Sequence, residues 1–85
     1  MQYEDKVYLM QKERHELEED RKNSWVRHSM YMAMIEELSK MNLSLQEKIL
    51  MSDIQRILAT IEMTISILDI KISNLDGRLK ELKLF

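Results

Sequence analysis

Residues 54–82 read IQRILATIEMTISILDIKISNLDGRLKEL, and this stretch decides the fold. Apolar residues recur along it at alternating steps of four and three, at Ile54, Leu58, Ile61, Ile65, Leu68, Ile72, Leu75, Leu79 and Leu82. A repeat of about 3.5 residues keeps side chains on one face of a helix, which a coiled-coil seam requires. The spacing therefore predicts a long helix whose seam, formed by these nine residues, packs against partner helices.

A second apolar stripe lies on the other side of the same predicted helix. When the seam residues occupy heptad positions a and d, Met63 and Ile70 fall at f and Ile67 falls at c. A simple two-stranded coil exposes those positions to water and fills them with polar residues. A helix that is apolar on two sides is normally covered on two sides. We expect other chains to cover Met63, Ile67 and Ile70.

The charges beside the seam bear on self-association. Acidic residues occupy e positions at Glu62, Asp69 and Asp76, whereas Lys71 and Arg78 occupy g positions. A parallel pair through the seam would set Lys71 against Asp76 of its partner, whereas an antiparallel pair would set like charges together. If the seam pairs with its own copy, the charges favour the parallel arrangement.

Upstream of the seam the sequence predicts two further helical segments. We divide the chain into a charged helical segment at 1–22, an apolar-rich helix at 23–43 and the heptad helix at 44–85. Asn23 and Ser24 are good N-cap residues ahead of the second segment. For the third, both Ser44–Glu47 and Ser52–Gln55 fit a capping box, so its first residue stays open.

Other apolar residues of the second and third segments are also candidate partner contacts. Trp25 suits an interface anchor, because tryptophan is favoured at binding hot spots. Helical spacing adds four residues to the candidate interface, namely Tyr31, Ile35, Leu38 and Leu45. The fold class that these patterns predict is all-α, a long coiled-coil helix with a preceding helix, inside a heteromeric helical bundle.

Composition supports helices and disfavours several function classes. The 85 residues include no Pro, no Cys and one Gly, so the usual breakers of helices are nearly absent. The net charge of −2, with both signs interspersed, lacks the basic footprint of a nucleic-acid binder. No apolar run is long enough for a transmembrane helix. Without cysteine, a reducing compartment is the natural expectation, and we predict a cytoplasmic protein.

Residues suited to catalysis or cofactor binding do not cluster in the sequence. His15 and His28 lack the spacing of a metal pair, and the lone Gly77 forms no phosphate-binding loop. Carboxylates alternate with Lys and Arg as they do on helix surfaces. We therefore expect no enzyme activity, no catalytic residues, no metal and no cofactor.

The stretch from Leu58 to Leu79 resembles the Brick subunit of the WAVE/SCAR actin-regulatory complex. A Leu58-Ala59 pair leads into a leucine heptad of the same phase, and the resemblance extends upstream through Met51-Ser52 to Trp25. The segment from Ile61 to Gly77 is also similar to the small coiled-coil subunit of the WASH complex. Either resemblance implies a small helical subunit that stabilises a scaffold controlling actin branching. The Brick resemblance implies the N-terminal helices of WAVE/SCAR and Abi subunits as partners, and a location at the cytoskeleton.

Three roles stay open on sequence alone. The chain is expected to be a structural subunit of a heteromeric helical scaffold, with the WAVE/SCAR type favoured. The alternatives are a parallel homo-oligomerisation module using only the seam, and a binding adaptor in which residues 25–34 capture a separate protein.

Overall fold

Two long helices make up the fold. The computed structural model describes residues 3–83, with side-chain surroundings for residues 4–82. Helix α1 runs over Tyr3–Ser39 and helix α2 over Leu45–Lys83. They pack side by side as an antiparallel hairpin of about 62 × 18 × 14 Å. The all-α class and the long helix with a preceding helix are confirmed.

The turn between the helices is short and contains no glycine. At its start, the N–H groups of Lys40 and Met41 donate to the carbonyls of Glu37 and Leu38, which tightens the last turn of α1. Ser44 then caps α2. Its N–H donates to a Glu47 carboxylate oxygen at 3.1 Å, and the Glu47 N–H donates to the Ser44 hydroxyl at 3.2 Å. This reciprocal pair is the capping box predicted at Ser44–Glu47, whereas Ser52–Gln55 lies inside α2.

The predicted helix start at Asn23–Ser24 is wrong. Helix α1 continues through both residues, and Ser24 is buried with 6% of its surface exposed. The physical reason is packing against α2, which keeps residue 24 on the inner face of one continuous helix. The boundary between segments 1–22 and 23–43 is therefore not a structural division. Residues 1, 2, 84 and 85, at the ends of the outer segments, lie outside the described residues.

The core is the face of α2 that lies against α1. Eight of the nine seam residues are buried, namely Ile54, Leu58, Ile61, Ile65, Leu68, Ile72, Leu75 and Leu79, and Leu82 is half-buried. The chain was expected to need other molecules to cover this seam. Instead the 40–44 turn brings α1 back over it. Within residues 3–83, no helix is both long and apolar enough to cross a membrane.

The cap at Ser44 gives the first prediction. Replacing Ser44 with Ala removes the acceptor for the Glu47 N–H, and we expect it to lower the free energy of unfolding by about 1 kcal/mol. Urea unfolding followed by circular dichroism measures the change. The matched control is Ser52→Ala, an exposed position inside α2 that should change stability by less than about 0.5 kcal/mol. Equal effects from both substitutions would contradict the capping role.

Candidate interaction surface

Two Arg–Asp ion pairs and one His–Glu contact cross the hairpin and help to fix the register of the two helices. Arg14 bonds to Asp76, Arg21 Nη1 lies 2.8 Å from Asp69 Oδ1, and His28 Nε2 lies 3.0 Å from Glu62 Oε1. The α1 members recur every seven residues, and so do the α2 members. We call these six residues the ladder. In each pair the two residue numbers add up to 90, and this sum defines the register of α1 against α2. The e-position carboxylates of α2 are thus paired within the chain.

The ladder pair farthest from the turn joins Arg14 to Asp76. Arg14 donates to both carboxylate oxygens of Asp76 and also to Glu18 Oε1 at 2.6 Å, one turn further along α1. The hydrogen bond from Arg14 lowers the pKa of the Asp76 carboxyl, and the same bond raises the pKa of Arg14. Separately, the N–H of Ser44 lowers the pKa of Glu47 at the cap of α2.

Helix α1 contributes a mixed inner face. Arg14, Arg21, Ser24 and His28 fall on the same 3–4 spacing as the half-buried apolar residues of α1, which are Val7, Met10, Leu17, Tyr31, Ile35 and Leu38. Among the predicted interface residues, Tyr31, Ile35 and Leu38 therefore lie inside the hairpin with the seam. Sequence reasoning missed the polar members. The signal was available, because Arg14 continues the spacing of Val7 and Met10.

The predicted second stripe of α2 lies outside the hairpin. Met63 is 66% exposed, Ile67 49% and Ile70 61%. The stripe widens toward the turn through Ile49, Leu50 and Ile57, which are also exposed. Two threonines beside it have hydrogen-bonded hydroxyls. The Thr60 hydroxyl donates to the Arg56 carbonyl, and the Thr64 hydroxyl donates to the Thr60 carbonyl. We call the exposed side of α2 that carries these residues the outer face.

Helix α1 exposes apolar side chains at the same level of the hairpin. In the ladder register, residues 20–33 of α1 lie beside residues 57–70 of α2. Trp25 is half-exposed, and its ring meets the His28 ring edge-on with centroids 5.3 Å apart. Val26, Met30, Met32 and Met34 are exposed nearby, and Leu45 is exposed at the start of α2. Between the turn and the level of Ile70, both helices thus expose apolar residues, and Tyr8 and Leu9 of α1 are exposed nearer the open end.

The hairpin has two unlike flanks, one on each side of the seam. Glu18 and Asp76 line a groove on the first flank, together with Arg14 and His15. Glu13, Lys71 and Arg78 line a groove on the second flank. Residues of α1 that are seven positions apart lie on the same flank. Trp25 is one heptad after Glu18 and lies on the first flank, and Met34 is three heptads after Glu13 and lies on the second.

Within the part of the chain that the structure describes, no group of three or more His, Cys, Asp or Glu side chains has the geometry to hold a metal ion. His15 borders the first-flank groove, whereas His28 faces Glu62 in the ladder. A search against known protein families, curated proteins and solved structures finds no match for this chain.

The ladder predicts a response to acid. Because the pKa of Asp76 is lower in the folded hairpin than its unfolded value of about 3.9, its pairing with Arg14 stabilises the fold fully above that value. The stabilisation is lost as pH falls through the folded pKa. Glu47 behaves in the same way at the cap. In the wild type, the urea concentration at the unfolding midpoint should fall between about pH 5 and pH 2 at low salt. We expect this fall to be smaller in Asp76→Asn.

Glu81→Gln is the control for that measurement, because Glu81 is an exposed carboxyl five residues further along α2. It should leave the acid response of the wild-type chain unchanged. An Asp76→Asn curve parallel to that of the wild type would show that the pair does not contribute to acid stability.

Proposed function

We propose that this chain is a non-catalytic assembly subunit, a helical hairpin whose outer face packs against helices of other polypeptides. The observation that carries the proposal is the exposure of Met63, Ile67 and Ile70 on the side of α2 away from the seam. Each such side chain is worth roughly 1.5–3 kcal/mol when fully buried. Exposed apolar residues gathered on one side of a helix are typical of a protein–protein contact.

The total surface supports the same proposal. The chain exposes 6771 Å², whereas a compact protein of 10.3 kDa exposes about 5,400 Å². The excess of about 1,400 Å² reflects the elongated shape of the hairpin, 62 × 18 × 14 Å, which leaves one long side of each helix uncovered. Helices are the natural partners, since ridges and grooves of exposed helix faces interdigitate.

The more specific form of the proposal is a heteromeric scaffold of WAVE/SCAR type, cytoplasmic and associated with the cytoskeleton. It rests on the resemblance of residues 58–79 to the Brick family, with WAVE/SCAR and Abi N-terminal helices as partners. The hairpin adds a constraint to it, because α1 already covers the seam on which that resemblance rests. Partner helices would dock on the outer face, or would displace α1 from the seam.

The hairpin disfavours one of the two alternative roles and is compatible with the other. A parallel homo-oligomer through the seam would require α1 to detach, and it would compete for Asp76 with Arg14. An adaptor that captures a protein through residues 25–34 keeps a specific observation in its favour, since Trp25, Val26 and Met32 are exposed on α1. Such a contact would use the first flank and leave the outer face of α2 for assembly.

Methionine oxidation tests the proposed function directly. The isolated chain at low concentration should oxidise Met63 quickly in dilute peroxide, because most of that side chain is exposed. In the assembly formed in extracts of the native cells, we expect the rate at Met63 to fall several-fold. Met10, half-buried inside the hairpin, is the internal reference and should change little. If Met63 oxidises equally fast in both samples, the outer face is uncovered and the proposal fails.

A further inference from the structure

The outer face of α2 carries a second coiled-coil spacing. Asp53, Ile57, Thr60, Thr64, Ile67 and Lys71 follow one another at steps of four, three, four, three and four. All six are exposed in the hairpin. They occupy heptad positions c and g, so they form a stripe beside the buried seam. We call these six residues the second seam.

The centre of the second seam suits close helix packing. Thr60 and Thr64 are short side chains, and both hydroxyls already bond to carbonyls of α2 at 3.1 and 3.0 Å. When another helix covers these hydroxyls, they keep their hydrogen bonds to the α2 carbonyls and do not need water as a hydrogen-bond partner. Ile57 and Ile67 flank them, and the two charged residues stand at the ends.

The second seam is complementary to itself when two copies run antiparallel. A twofold axis at the level of residue 62 sets Ile57 against Ile67 of the second copy, and Thr60 against Thr64. The same axis sets Asp53 against Lys71, and does so twice because the contact is symmetric. Apolar residues then meet apolar residues, and opposite charges meet at both ends.

Other pairings of the same surface are less favourable. A parallel pair sets Asp53 against Asp53 and Lys71 against Lys71. A shift of one heptad in one direction sets Lys71 against Thr60 and Ile57 against Asn74. The opposite shift sets Asp53 against Thr64. Only the central antiparallel register satisfies both charges and both isoleucines.

We propose that two copies of this chain associate through the second seam in antiparallel orientation, forming a four-helix bundle of two hairpins. This inference rests on the proposed function and names one partner of the outer face, the chain itself. The second flank should contribute as well, since Met34 of α1 lies on that flank at the level of Ile57.

Native mass spectrometry and sedimentation over a concentration series test the inference on the full chain. The wild type should dimerise, and Ile67→Lys should abolish the dimer. At a concentration low enough for both chains to be monomeric, the variant should keep the helicity and melting temperature of the wild type, because Ile67 is outside the core. The matched control is Ser66→Lys, which adds the same charge one residue away at exposed position b and should still dimerise. A wild type that stays monomeric throughout, or equal effects from both variants, would overturn the inference.

Charge swaps test the register. Asp53→Lys and Lys71→Asp should each weaken the dimer about tenfold, because each change puts like charges together at both ends. Combining them in one chain should restore dimerisation. Single swaps without effect would refute the antiparallel register, since the parallel pair predicts no change. Protection of Met63 in native assemblies of a chain that does not self-associate would leave the proposed function standing and reject this inference alone.

Discussion

The inner face of α1 is the constraint on which the rest of the structure depends. It combines apolar side chains with Arg14, Arg21, Ser24 and His28, and among the described residues every fully buried apolar side chain belongs to α2. The long arginine stems can cover the seam while their charges reach the acidic row of α2. Exposed ion pairs contribute little energy singly. Slipping by one heptad would preserve part of the ladder, so the short capped turn must also fix the register.

A two-helix hairpin covers only one side of each helix, and the uncovered sides are not alike. Much of the outside of α1 is charged, especially before Trp25, whereas the outside of α2 carries exposed apolar residues among polar ones from Ile49 to Ile70. Each Å² of apolar area that stays in water loses about 25 cal/mol of stabilising free energy that burial would provide. The hairpin therefore has one unmatched side, and this asymmetry favours α2 as the surface for the proposed assembly.

The sequence was most informative where burial is purely apolar. The uninterrupted spacing from Ile54 to Leu82 predicted α2 and its seam, and Met63, Ile67 and Ile70 predicted its second apolar side. Local hydrogen-bonding chemistry offered Ser44 and Ser52 as equal candidates for the cap, and the structure uses Ser44. The sequence misled in α1, because Asn23–Ser24 has the local chemistry of a cap while tertiary packing keeps it helical. Periodicity also shows that a seam exists without showing which helix fills it. Residues assigned to partner chains were therefore covered by α1.

Self-association through α2 and contacts with unlike partners are compatible in this geometry. The second seam lies beside the second flank, the one that carries Lys71 and Met34. Trp25 lies on the first flank, across the seam from it. A dimer through α2 would therefore leave Trp25, Val26 and Met32 accessible on both copies, as two sites related by the twofold axis. One small hairpin can thus carry two unlike contacts, because its two helices expose their apolar residues in different directions.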